Sequence, residues 1–126
     1  MKIMCWNIRG LNDHGKRREA VSLAASLQLS VFALLETHVC PEKEAQVAKS
    51  FPRYDHFATF IDNCNGRIWV FWDPDICSID FLHATSQQIL SYCICLTYGS
   101  YNICLCFQYL SSPESIMAWF SLTWPD

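Results

Sequence analysis

Two short apolar runs constrain the fold most, because each one leads into a side chain with a metal-binding oxygen. Residues 2–6, a lysine followed by four apolar residues, read as a short strand, and Asn7 follows them. The run from Val31 to Leu35 has the length of a buried strand and leads into Glu36. If the two strands are neighbours, Asn7 and Glu36 meet at one edge of the sheet. An amide and a carboxylate are hard oxygen ligands that suit Mg²⁺.

The rest of the pattern predicts a mixed α/β domain. A helix is predicted over 16–29, with Ala20, Val21, Ala24, Leu27 and Gln28 on its apolar face, and a short second helix begins at Pro41 and runs to residue 49. Further strands are predicted within 51–60, 67–72, 76–83, 86–95 and 101–109, with a hairpin turn at Tyr98-Gly99-Ser100, and a last helix over 116–122. A βαβ order followed by an antiparallel run fits a layered α/β sandwich.

Length and charge limit the domain count and the kind of partner. The 126 residues, 52% of them hydrophobic, are enough for one domain spanning 1–126. Nine basic residues against twelve acids give a net charge of −3, which excludes a general basic field for binding nucleic acids. A nucleic-acid role must therefore rest on a local basic patch.

The eight cysteines do not form a zinc-ribbon pattern, because no two of them have the CxxC spacing. Cys93 and Cys95, like Cys104 and Cys106, are two residues apart, which on a strand makes each pair small buried apolar residues on one face. No signal segment and no window of membrane-spanning length is found. Reduced thiols, a nuclear or cytoplasmic location and no membrane partner are expected.

Three sequence blocks resemble those of a known family. They read Cys5-Trp-Asn-Ile-Arg-Gly-Leu11, Leu34-Leu-Glu-Thr-His38 and Gly66-Arg-Ile-Trp-Val-Phe-Trp-Asp-Pro74. In order and spacing they resemble the N-terminal half of an endonuclease/exonuclease/phosphatase (DNase I-like) domain, and most of all the endonuclease domain of plant LINE-type retrotransposons. The resemblance implies an α/β sandwich that cleaves DNA phosphodiesters with Mg²⁺.

The resemblance also implies roles for individual residues. The family's Gln-Glu-Thr block contains its Mg²⁺ ligand, which corresponds to Glu36, although Leu35 replaces the glutamine. The asparagine of the family's Trp-Asn pair holds the metal or the scissile phosphate, and Asn7 occupies that place. Arg9 and Arg67 are candidates for phosphate contact. Tyr109 is a further candidate for contact with nucleic acid, one position out of register with the family's Val-Tyr block.

The later family blocks are not found in the 126 residues. A Gly-Asp-Phe-Asn block and a Ser-Asp-His block supply the family's remaining acids and its histidine, and neither occurs here. We therefore expect an incomplete, N-terminal half of the domain that binds Mg²⁺ weakly, does not cleave DNA and self-associates through an exposed sheet edge. The alternative is a small cysteine-rich α/β binding module without catalysis.

Overall fold

The computed structural model describes residues 2–59, 66–84, 88–95, 101–109 and 116–123. Within these ranges the chain forms two four-stranded sheets and two α-helices. In chain order the elements are β1 (Ile3–Asn7), α1 (His14–Leu27), β2 (Val31–Val39), a 3₁₀ turn (Pro41–Lys43), α2 (Glu44–Ala48), β3 (Asp55–Ala58), β4 (Gly66–Trp72), β5 (Cys77–Ala84), β6 (Gln88–Cys95), β7 (Tyr101–Tyr109) and β8 (Ile116–Thr123).

The first sheet is mixed, with the strand order β1-β2-β4-β3. β1 runs parallel to β2, while β4 runs antiparallel to both β2 and β3. Val31–Leu35 of β2 is buried at every position, so this strand needs a neighbour on each side and a layer on each face. The two apolar runs are therefore neighbouring strands, which is the condition on which the meeting of Asn7 and Glu36 depends.

Alternate residues of β2 belong to two different cores. Phe32 and Leu34 pack on the helical side of the sheet, in a cluster that includes Ala20 and Ala24 of α1. Val31, Ala33 and Leu35 pack on the other side, in a cluster that includes residues of the second sheet, namely Cys77, Ile89 and Cys93. This alternation follows from the two-residue period of a strand. The described chain is therefore a mixed α/β structure in which β2 contributes to both cores.

An aromatic cluster fixes the connection between α2 and β3 on the helical face. The ring of Phe32 stacks on that of Phe71 with centroids 4.8 Å apart, and Tyr54 meets it edge-on at 5.0 Å. Phe51 lies 4.5 Å from Phe71, and the Tyr54 hydroxyl donates a hydrogen bond to the carbonyl of Leu29 at 2.9 Å. Stacked and edge-on ring pairs of this kind add to the stabilisation from burial alone.

Helix α1 begins and ends two residues earlier than predicted. Asp13 caps its N-terminus, since the Oδ1 atom accepts hydrogen bonds from the amides of Gly15 at 2.7 Å and Lys16 at 3.4 Å. The prediction is wrong for two residues of the apolar face. Leu27 is 39% exposed, and Gln28 lies outside the helix because its φ of 52° turns the chain away. Neither described helix is long and apolar enough to cross a membrane.

The second sheet is antiparallel throughout, in the order β5-β6-β7-β8. β6 and β7 pair from Cys95 and Tyr101 onward, as a hairpin requires, while the predicted turn at Tyr98-Gly99-Ser100 lies outside the described residues. The predicted last helix is wrong, because Ile116–Thr123 is the strand β8, paired along β7. Its β-branched and aromatic residues favour a strand wherever a neighbouring strand edge is available.

Candidate functional site

The parallel pairing of β1 and β2 brings Asn7 next to Glu36 in the sheet. Asn7 is in register with Leu35, so Glu36 is one residue further along the neighbouring strand. The loop after β1 then continues along β2. The amides of Ile8, Gly10 and Leu11 donate hydrogen bonds to the carbonyls of Leu35 at 3.1 Å, Glu36 at 2.7 Å and Thr37 at 2.8 Å. This edge of the sheet, with Asn7, Glu36 and the loop 8–12, is called the β1–β2 edge below.

The side chain of Asn7 contains a buried oxygen without a hydrogen-bond partner. Its Oδ1 atom is shielded from solvent and accepts no hydrogen bond within the described part of the chain. A buried acceptor left without a partner costs about 1–3 kcal/mol. A cation beside it would remove this cost, so the oxygen fits a metal ligand.

The β1–β2 edge is also where the backbone is strained. Glu36 and His38 both have a φ of 54°, and Arg9 has a φ of 53°, all in the left-handed region that non-glycine residues seldom adopt. The pairing of β2 with β4 shifts register between Leu35 and Val39, which indicates a β-bulge. Bulges and left-handed residues redirect side chains and concentrate at functional sites.

The three residues that follow Leu35 differ in how far they are exposed to solvent. Glu36 is half-buried, Thr37 is fully buried and His38 is exposed. The carboxylate of Glu36 therefore lies at the boundary between the core and solvent, where a metal ion that retains water molecules can be held. No group of three or more His, Cys, Asp or Glu residues that could hold a metal occurs among the described residues. Asn7 and Glu36 would thus hold Mg²⁺ with much of its water shell retained.

The other predicted site residues lie at different distances from the β1–β2 edge. Arg9 is an exposed part of it, two residues after Asn7. Arg67 lies on β4 between Gly66 and Ile68, which pair with Val39 and Leu35, so its backbone faces the bulged segment of β2. Tyr109 is the last residue of β7, in register with Ile116 of β8, and therefore belongs to the second sheet.

Three polar side chains that sequence reasoning did not assign hold the loop in place. Asn12 Nδ2 donates to the His38 carbonyl at 2.9 Å, and Lys16 Nζ donates to the Arg9 carbonyl at 2.7 Å. Arg17 Nε donates to the Leu11 carbonyl at 3.2 Å. The signal in the sequence was the run of cations at the start of α1, which opposes the helix dipole and therefore needs acceptors nearby.

Basic charge concentrates in the same part of the chain. Residues 2–18 contain five basic residues and one acid, Asp13, whereas residues 19–126 contain four basic residues and eleven acids. Asp13 is occupied as the cap of α1. The basic residues are therefore concentrated in the segment that contains Asn7, and one of them, Arg17, is buried.

Comparison with known proteins gives similarities of structure alone. No family model matches the chain, and no curated protein matches it. Among solved structures, D. rerio TDP2 complexed with a single-strand DNA product matches with a TM-score of 0.46 and 17% identity, over 95% of this chain and 44% of that one. A humanized D. rerio TDP2 has the same TM-score and identity, over 95% of this chain and 48% of that one.

An endonuclease/exonuclease/phosphatase family protein from Bacteroides thetaiotaomicron is also similar, with a TM-score of 0.48 and 13% identity, over 95% of this chain and 47% of that one. The chain therefore spans less than half the length of each of these three structures.

Proposed function

We propose that this chain carries the metal-binding edge of a Mg²⁺-dependent phosphodiesterase domain of the endonuclease/exonuclease/phosphatase type, with DNA as its substrate. The observation that supports this most is the pairing of Asn7 with Leu35, which places Asn7 one register position from the half-buried Glu36. The buried amide oxygen of Asn7 accepts no hydrogen bond from the described residues. The three sequence blocks that resemble the endonuclease domain of plant LINE-type retrotransposons support the same origin.

Each residue of the β1–β2 edge has a separate task in this proposal. Glu36 supplies negative charge to the metal, and Asn7 Oδ1 supplies a neutral oxygen that accepts no competing hydrogen bond from the described residues. The metal would stabilise the charge that develops on the phosphate during cleavage. Arg9, Arg67 and Tyr109 are proposed to contact the nucleic acid, where arginines position phosphate groups through charge-assisted hydrogen bonds.

The hydrogen bonds around the loop keep Arg9 in place for that task. The Arg9 carbonyl accepts a hydrogen bond from Lys16 Nζ and the Gly10 amide donates one to the Glu36 carbonyl, so the peptide unit between Arg9 and Gly10 is held at both its oxygen and its nitrogen. A guanidinium on a fixed backbone loses less freedom when it binds a phosphate. The loop contacts that hold the chain against β2 should therefore also raise the affinity of Arg9 for a phosphate group.

The proposal is tested by titrating the 126-residue chain with Mg²⁺ and following the bound metal by calorimetry. We expect weak, saturable binding, because two protein ligands leave most of the Mg²⁺ coordination to water. Glu36→Gln should abolish it, since this variant removes the charge and keeps the shape of the side chain. Glu42→Gln, which changes an exposed acid of the 3₁₀ turn, is the matched control and should bind like the parent chain.

The same titration separates the metal proposal from the alternative of a cysteine-rich binding module without catalysis, which predicts no response to Glu36→Gln. Tight Mg²⁺ binding that survives Glu36→Gln would place the metal elsewhere and overturn the proposal.

A further inference from the structure

A second site is indicated by Arg17, a buried arginine in the first turn of α1. Arg17 is only 7% exposed. Its Nε atom donates to the carbonyl of Leu11, and no carboxylate pairs with it among the described residues. Removing a charged group from water is costly unless an opposite charge compensates it. The remaining nitrogens of this guanidinium are not among the buried atoms that lack a partner, so they reach solvent and can contact an anion.

A cavity of about 240 Å³ lies against Arg17, lined by His14, Arg17, Arg18, Val21 and Ser50. This set, called the Arg17 cavity, contains two guanidinium groups, an imidazole and a hydroxyl, and no acid from the described part of the chain lines it. The two nearest acids in the sequence do not line it. Asp13 accepts the amides of Gly15 and Lys16, and Glu19 lines a different groove together with Trp6.

We propose that the Arg17 cavity binds a phosphate group. Arginine presents forked N–H donors that match phosphate oxygens, and Ser50 offers a further donor. The volume is below the roughly 300 Å³ at which pockets for drug-sized ligands begin, so a compact group such as a phosphate fits it better than an extended organic ligand.

Occupation of the cavity would reach the β1–β2 edge through hydrogen bonds. Arg17 holds the carbonyl of Leu11, and the amide of Leu11 in turn holds the carbonyl of Thr37, the residue after Glu36. An anion that neutralises Arg17 therefore sits two hydrogen bonds away from β2. The site itself needs neither Mg²⁺ nor Glu36, so it goes beyond the proposed function and can be tested without it.

The test is a titration of the chain with inorganic phosphate in the presence of EDTA, followed by calorimetry. Arg18→Gln removes an exposed guanidinium that lines the cavity, and it should weaken phosphate binding roughly ten-fold or more, as expected for the loss of a charge-assisted hydrogen bond. Lys43→Gln makes the same change of charge in the 3₁₀ turn and should bind phosphate like the parent chain. His14→Gln should also weaken binding, since His14 lines the cavity.

A labelled single-stranded oligonucleotide distinguishes two sources of the phosphate. If phosphate displaces the oligonucleotide and Arg18→Gln weakens both, the cavity takes a backbone phosphate of a nucleic acid. If only inorganic phosphate responds to Arg18→Gln, the cavity takes a free phosphate. Both results support the site, whereas no saturable phosphate binding by the parent chain, or equal weakening by Arg18→Gln and Lys43→Gln, would overturn it.

Discussion

At the scale of single residues, Cys5 shows how burial within β1 changes the acidity of a thiol. Its thiol lies in β1, two residues before Asn7, and burial raises its pKa from 9.0 to about 12. The unfolded thiol ionises first as the pH rises, so above pH 9 the unfolded state binds fewer protons than the folded one. The contribution of the Cys5 thiol to the free energy of unfolding is therefore fully present below pH 9 and is lost between pH 9 and about 12.

The first prediction follows from this difference in the pKa of Cys5. The free energy of unfolding should fall by up to about 1.4 kcal/mol per pH unit above pH 9. Urea denaturation measured below and above that pH reports the fall, and Cys5→Ala should reduce its slope because the variant has no thiol at this position. Equal slopes for the parent chain and Cys5→Ala would contradict the prediction.

Sequence reasoning located Asn7 at the end of β1 from a local apolar run, but β2 continues past Glu36 to Val39, so Glu36 does not lie at the end of its strand. Sequence reasoning also could not predict the left-handed backbone of Glu36 and His38. Glutamate seldom adopts that region and histidine does so only in a minority of cases, and the bulge at this point depends on pairing with β4, far along the chain. The burial of Arg17 was missed for a similar reason, since its acceptor is a loop carbonyl that no side-chain pattern reveals.

At the scale of elements, the N-terminus of α1 depends on Asp13. The first turn of the helix contains no acid, so the side chain of Asp13 is the group that satisfies its amides and complements its dipole. The run of cations in that turn makes the cap more important, because the cations oppose the dipole. The same cap also orients Arg17 and Arg18 toward the Arg17 cavity by fixing where the helix begins.

Asp13→Ala should destabilise the chain by about 1 kcal/mol, the usual cost of losing an N-cap side chain. Urea denaturation followed by circular dichroism measures the change. Asp13→Asn keeps a capping oxygen and should cost less, so it serves as the control. A chain with Asp13→Ala as stable as the parent would show that the hydrogen bonds to Gly15 and Lys16 contribute nothing.

Elements with strong local signals were predicted well, and the others were not. The fully buried run of β2 and the hairpin of β6 and β7 follow from length, composition and turn signals. The error at Ile116–Thr123 has the opposite cause. A serine- and proline-rich segment before it resembles a helix start, but the strand edge of β7 with which it pairs is not visible in the local sequence.

At the scale of the whole molecule, β2 contributes side chains to both cores and carries Glu36 of the β1–β2 edge. Phe32 and Leu34 pack against the helical side, and Val31, Ala33 and Leu35 pack toward the second sheet. The strand that carries Glu36 is thus held from both faces up to the residue before the bulge. A strand fixed in this way can keep strained residues at its end, because the cost of the strain is offset by the packing of the rest.

The last prediction concerns what the chain can do by itself. Hydrolysis of a phosphodiester needs charge stabilisation, a base for the attacking water and an acid for the leaving oxygen, and each acid or base contributes about 10²- to 10⁴-fold. Asn7 and Glu36 could provide only the charge stabilisation, through the metal they are proposed to bind. His38 is exposed beside Glu36, so a lone histidine could supply one proton transfer at most, while His56 lies 3.0 Å from Glu44 and stacks on Trp69.

We therefore expect a supercoiled plasmid incubated with the 126-residue chain and Mg²⁺ to stay intact, as read from an agarose gel. The comparison uses the parent chain, Glu36→Gln and the control Glu42→Gln, so that contaminating nuclease appears equally in all three. Nicking by the parent chain and by Glu42→Gln, but not by Glu36→Gln, would contradict the prediction. It would mean that the chain, alone or paired with a second copy, assembles a complete site around Asn7 and Glu36.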